Sequence, residues 1–326
     1  MNRRTFLSLV GGAAAAWPVA AQAQQVPLLG YLATVSNAQS ANLASAFRDG
    51  LAQAGFRDGR NVMIVSRNAD GQTDRLPALA AELVGQKVAL LAAMGGITSA
   101  LAAKSASATI PIVFTAGDAD PVQAGLVSSL ARPGGNVTGF SFLGGMLGAK
   151  RLEILREIVP KAEVIGMLVN PRNQSSALDR AELEAAIVTG RQKLVMIEVG
   201  PTDDLSAALA ASGNEKIDAL VVTADPTFTN RRTELVTWMA RHGVPAIYQW
   251  DLFVQSGGLI SYGADLADGY RQAGIYAGRV LKGQNPADLP VLQPTKFELV
   301  INLKAAKTLG LEIPPTLLAR ADEVIE

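Results

Sequence analysis

From Val26 onward, short and nearly unbroken apolar runs alternate with longer segments whose apolar residues recur every three or four positions. The first kind comprises VPLLGYLA (26–33), NVMIVSRNA (61–69), VALLAAMG (88–95), IPIVFTAG (110–117) and NVTGFSF (136–142). The second comprises ANLASAFRDGLAQAG (41–55), RLPALAAELVGQ (75–86), ITSALAAKSA (97–106) and VQAGLVSSL (122–130). Runs apolar on every residue suit strands covered on both faces, and the helical spacing between them supplies the covers, so the pattern predicts a parallel sheet. It then restarts. A helix over LGAKRLEILREIV (147–159) leads to strands VIGMLVN (164–170), LVMIEVG (194–200), ALVVTAD (219–225) and PAIYQW (245–250). Helices ALDRAELEAAIVTG (177–190), DLSAALAAS (204–212) and RTELVTWMARHG (232–243) separate those strands.

Two such units predict an α/β protein of two doubly wound, Rossmann-like lobes. The remainder, from GLISYGAD (258–265) through YRQAGIYAGRVLKG (270–283) to FELVINL (297–303), is too small for a third lobe. It is expected to return across the hinge and finish both sheets, which makes a three-strand hinge. The boundaries that follow are 24–142 plus 263–290 for the N-terminal lobe and 143–262 plus 291–326 for the C-terminal lobe. A length of 326 residues agrees with two cores, because single cores seldom grow past about 250–300 residues.

Residues 1–23 read differently. MNRRTFLSLVGGAAAAWPVAAQA has a basic start, an apolar run from Phe6 to Ala16 and an Ala21-Gln22-Ala23 cleavage pattern, the signature of a cleaved signal peptide. Arg3-Arg4 before Thr5-Phe6-Leu7 matches the twin-arginine export pattern, with a general secretory leader as the alternative. The mature chain, from about Gln24, is therefore expected in the periplasm without direct membrane anchoring.

Composition narrows the chemistry. Cysteine is absent, which removes disulfides, thiolate catalysis and a lipid-anchoring cysteine. Formal net charge is zero and aromatics are 5%, so neither the basic stripe nor the stacking platform of a nucleic-acid binder is present. The one histidine, His242, falls at a helix end before Gly243 and suits the last helix carbonyls. No phosphate-cradling glycine motif follows the first strand, and the carboxylates lack metal-ligand spacing. The chain reads as neither an enzyme nor a cofactor protein. A carboxylate-dependent exported hydrolase is the rival from another class.

Ligand binding fits better. In open parallel sheets, ligands sit beyond the carboxyl ends of strands, beside helix N-termini. Those positions hold Ser36 and Asn37, Gly96 with Thr98 and Ser99, Gly117 with Asp118, Asn170, and Asp225. Ser, Thr, Asn and Asp are also the preferred helix caps, so each loop has a purely structural reading as well. Asp120-Pro121 and Asp225-Pro226 both look like a cap followed by the first helical residue. For Asp225 a ligand ammonium is an equal alternative. Phe228, Trp250 and Tyr262 are candidates for apolar contact, with hinge packing the alternative for Trp250 and Tyr262.

PIVFTAGDADPVQAGLVSSLARPGGNVTG, GRVLKGQNPADLP and INLKAAKTLGLEIP together resemble the substrate-binding proteins of ABC transporters of the tryptophan/tyrosine-type group. The likeness runs through essentially the whole mature chain. The loop at Gly117-Asp118 departs from the more usual Val-Thr form. The resemblance implies a type I periplasmic binding fold and a monomeric receptor. Such a receptor captures an amino-acid-like molecule between its lobes and hands it to an inner-membrane permease with its ATPase. It also implies aromatic amino acids as a ligand class. A receptor feeding a chemoreceptor or sensor kinase remains the alternative to transport.

Overall fold

The computed structural model describes residues 26–117, 119–142, 147–173, 176–188, 192–211 and 216–326. The predicted signal peptide, residues 1–23, and Asp118 lie outside the described residues. The first sheet holds β1 (Leu28–Ala33), β2 (Met63–Asn68), β3 (Leu90–Met94), β4 (Ile112–Ala116) and β5 (Val137–Ser141). All pair in parallel in the order β2-β1-β3-β4-β5, with β3 and β4 buried along their whole length. Helix α1 (Asn37–Gln53) covers one face through Leu43, Phe47 and Leu51. Helices α2 (Leu76–Gly85) and α3 (Ile97–Ala106) cover the other through Leu79, Leu83 and Ala100.

The helix expected over 122–130 does not form. Its start survives as a single turn, with the Ala124 N–H donating to Asp120 O at 3.0 Å and the Leu126 N–H to Pro121 O at 2.9 Å. Gly125 then takes φ +68°, a left-handed value that glycine adopts without a Cβ penalty and that ends the helical path. Leu126 and Val127 turn directly into the core under β4, and that burial replaces a helix face.

The second sheet is larger. It holds β6 (Val164–Val169), β7 (Lys193–Glu198), β8 (Ala219–Val222), β9 (Ala246–Tyr248), β10 (Ile260–Ala264), β11 (Phe297–Asn302) and β12 (Glu323–Ile325). The order is β12-β11-β10-β9-β8-β6-β7, and β10 with β11 is the antiparallel pair. One face carries α4 (Gly148–Ile158) and α5 (Ser176–Val188) through Leu152, Leu155 and Leu183. The opposite face carries α6 (Leu205–Ala211), α7 (Pro226–Asn230), α8 (Arg232–His242) and α9 (Asp251–Gln255), with Leu205, Phe228, Leu235 and Phe253 inward.

After β10 the chain returns to the first lobe. Helix α10 (Leu266–Leu281) lies along α1 so closely that a Cβ on Gly274 would fall 2.0 Å from Phe47 O, and one on Gly50 would fall 1.9 Å from Arg271 O. Only glycine permits that approach. Leu292 then bridges to Phe140 at the edge of the first sheet, and β11 carries the chain back to the second. Short helices α11 (Leu303–Thr308) and α12 (Pro315–Leu318) precede β12.

Candidate ligand cleft

The carboxyl ends of both sheets face one another. Ser36, Gly95, Gly96 and Gly117 follow β1, β3 and β4 on one side; Asn170, Asp225 and Trp250 follow β6, β8 and β9 on the other. The two sides touch. The Ser36 N–H donates to Asn230 Oδ1 at 3.1 Å. A Cβ on Gly96 would lie 3.5 Å from Pro226 Cγ, and one on Gly117 would lie 2.9 Å from Trp250 Cζ2. The apolar core runs from lobe to lobe through Phe142 and Trp250, whose rings meet edge to face at 5.2 Å. Between these contacts lies a cavity of about 50 Å3. Phe142, Trp250 and Tyr270 are its aromatic lining, and Thr115, Asp225 and Thr229 line it as well.

Asp225 is the charged group of this cavity, and the local sequence fixes it. It caps α7 with its Oδ1 accepting the Thr227 N–H at 2.7 Å, and Pro226 follows at the first helical position, where a missing N–H costs nothing. Its Oδ2 accepts from Asn173 Nδ2 at 2.8 Å and from Asn170 Nδ2 at 3.1 Å. Asn170 therefore supports the carboxylate. Burial pushes the Asp225 carboxyl above its ordinary range, against the opposing pull of the Thr227, Asn173 and Asn170 bonds. Every one of those donors is neutral. A buried carboxylate held only by neutral donors is one that a cation would stabilise further.

The opposite wall offers the complementary charge. Gly96 opens α3 at φ +132°, a backbone that glycine tolerates and a side chain resists. Its N–H donates to Thr115 O, and the Gly95 N–H donates to Thr115 Oγ1, both at 3.1 Å, so β4 holds the loop in place. The ten-residue helix α3 thus aims its amino end, with its partial positive charge, at the gap before Pro226. Thr98 is exposed there, whereas Ser99 is fully buried and donates its hydroxyl to Gly96 O at 2.8 Å. Ser99 braces the turn.

Of the sequence candidates, Gly96, Gly117, Asp225 and Trp250 line the cavity together. Ser36 joins the lobes beside it, and Asn37 opens α1. Phe228 and Tyr262 do not reach it. Phe228 is buried in the second lobe's core, and Tyr262 packs near Phe297 with ring centroids 6.3 Å apart while its carbonyl accepts from Arg151 Nε at 2.9 Å. Asp120, read as a cap, accepts the Val122 N–H at 2.8 Å. The sequence reading missed Thr115, Phe142, Leu266 and Tyr270. The last two, four residues apart on α10, form one apolar stripe that helical spacing could have flagged. Burial lifts the Tyr270 phenol to about 12, partly offset by a hydrogen bond with Thr115.

Among the described residues no cluster of three or more carboxylates and histidines suits a metal ion, and no helix is long and apolar enough to cross a membrane.

The comparisons with known proteins agree on one family. The ABC transporter substrate binding protein family matches residues 30–325. A tyrosine-binding protein of Clostridioides difficile is 30% identical over 266 residues, covering 82% of this chain and 76% of that protein. A Streptococcus pneumonia ABC domain solved in complex with L-Trp superposes with a TM-score of 0.83 at 28% identity, over 92% of this chain and 99% of that one. A ligand-free, open substrate-binding protein with adhesive properties from Clostridium difficile gives 0.65 at 27% identity, over 92% and 99%. At lower identity the two-lobed architecture is that of the type I, leucine-binding periplasmic proteins.

Proposed function

The chain belongs to the ABC transporter substrate binding protein family, and from that premise we propose that it is the periplasmic receptor of an importer for an amino-acid-like molecule. The observation that carries the ligand class is Asp225. A buried carboxylate whose donors among the described residues are all neutral faces the amino end of α3 across a gap that both lobes close. An α-amino acid carries the two matching charges, an ammonium for Asp225 and a carboxylate for the helix end. The relatives named for tyrosine and solved with L-Trp support amino acids as the class.

Ser36, Gly96, Thr98, Gly117, Asp225 and Trp250 are the residues assigned to the ligand, with Asn170 and Ser99 holding the site in shape. Residues 24–142 with 263–290 act as one body and 143–262 with 291–326 as the other. A ligand that touches both bodies favours the closed form by its differential affinity for it, a population shift about the hinge. The closed monomer is then what the inner-membrane permease and its ATPase recognise, after residues 1–23 have directed export.

The test is a thermal-shift screen of the mature chain, refolded to remove carried-over ligand. A ligand at about 100 times its Kd adds about 2.7 kcal/mol to stability. A melting shift with amino acids, abolished for their N-acetylated forms, is the expected result. Equal shifts with and without the free ammonium would refute the role given to Asp225.

A further inference from the structure

We propose that Trp250 sets the size of the ligand, so that the cleft takes an α-amino acid with a small side chain and excludes aromatic ones. This rests on reading the cleft as an amino-acid site. The cavity measures about 50 Å3. A cavity of about 150 Å3 is what a benzene ring fills, so the space falls short of one ring by roughly threefold. It suits the charged core of an amino acid and little beyond it.

The missing room is taken by the protein itself. Trp250 belongs to the second lobe, but its indole crosses the cleft and seats between two residues of the first. Its Cζ2 stands 2.9 Å from where a Cβ on Gly117 would be, and its ring meets Phe142 edge to face at 5.2 Å and 74°. With 6% of its surface exposed, the side chain is packed and not free in the cleft. Its carbonyl accepts the Phe253 N–H at 3.2 Å, which ties the residue to the first turn of α9. Tyr270 and Leu266 from α10 close the same wall. The aromatic surface that would otherwise receive a ligand's ring is thus already engaged with an indole supplied by the chain. Gly117 is the partner that makes this possible, since any side chain there would collide with it.

The experiment measures binding of glycine, L-alanine, L-serine, L-phenylalanine, L-tyrosine and L-tryptophan to the refolded mature chain by calorimetry. It is then repeated on Trp250→Ala and on the milder Trp250→Leu, each checked for a cooperative melt. Wild type is expected to bind the small amino acids at least about tenfold more tightly than the aromatic ones, the scale at which pocket shape discriminates. Either variant is expected to gain affinity for the aromatic amino acids and lose it for alanine. Tighter binding of tyrosine or tryptophan than of alanine by wild type overturns the inference and leaves the amino-acid reading standing. Small-ligand binding by wild type with no aromatic gain in either variant overturns the role of Trp250. Silence of all the proteins toward the whole panel overturns the amino-acid reading, and this inference with it.

Discussion

Ser36 and Asn230 are 194 residues apart in sequence, yet the backbone N–H of one donates to the side-chain Oδ1 of the other at 3.1 Å, joining the start of α1 to the end of α7. The same amide packs against Gly71, where a Cβ would fall 2.5 Å from Asn230 Nδ2. One side chain of the second lobe thus fits two loops of the first, and the fit exists only with the lobes together. Asn230→Ala is expected to weaken ligand binding by about fivefold, the worth of a hydrogen bond of about 1 kcal/mol, with little change in the melting temperature measured without ligand. Calorimetric affinities paired with thermal melts check both halves.

Asp225→Asn separates cap from charge. Asparagine caps a helix as well as aspartate does, so α7 should survive. Its Nδ2 would meet the Asn170 and Asn173 amide donors whose hydrogen bonds Oδ2 now accepts, so the melting temperature should fall as well. Loss of the charge opposite a ligand ammonium costs on the order of 2–5 kcal/mol of binding. An affinity reduced by less than about tenfold would return Asp225 to a purely structural role.

Arg151 on α4 and Asp179 on α5 make a buried pair whose Nη1–Oδ1 separation of 3.8 Å is too long for a hydrogen bond. Burial therefore outweighs the attraction of Arg151, and with Glu182 adding repulsion the Asp179 carboxyl rises to about 6 from an ordinary value of 3.8. The folded protein holds this proton more tightly than the unfolded chain does. Stability should accordingly fall as pH rises from about 4 to about 6, by at most about 3 kcal/mol, and then level off. Asp225 and Asp251 shift in the same direction, so the informative quantity is a difference. The melting temperature of Asp179→Asn should fall less steeply over that interval than wild type's, and parallel curves would contradict the assignment.

Gly274→Ala places a methyl where Phe47 O now lies and should separate α10 from α1. Overpacking of this kind costs about 1–3 kcal/mol. In a chain of this size that is a loss of roughly 2–6 °C in melting temperature, and a scanning melt would read it. Gly283→Ala, where nothing lies within 4 Å but φ is +95°, separates backbone strain from collision.

Elements whose local pattern and tertiary setting agree were legible in the sequence. ITSALAAKSA marked α3 at 97–106, and the β-branched and apolar runs of β4, β6 and β8 located the sheets to within a few residues. The false helix at 122–130 had the right apolar spacing, but Gly125 sat within it and the burial of Leu126 and Val127 under β4 prevailed over propensity. At the site, loop composition pointed to Gly96, Gly117, Asp225 and Trp250. It did not separate them from Phe228 and Tyr262, because which wall a side chain faces depends on packing between distant elements. Phe142 follows the last residue of β5 and Tyr270 lies inside α10, where no polar loop signal marks them. They become part of the site only because α10 returns to the first lobe.

That return also orders the chain in time. The apolar face of α1, with Leu43, Phe47 and Leu51, is covered by a helix that begins about 210 residues after α1 ends. At ribosomal speeds of about 5–20 residues per second, the first lobe waits roughly 10–40 s for its own last piece. Most of the second lobe, β6 through β10, is made in the interval. Neither lobe is complete when α10 emerges, because β11 and β12 of the second sheet follow it in the chain. Until α10 arrives, the nascent chain keeps an open apolar surface on α1, and closing it is a long-range step.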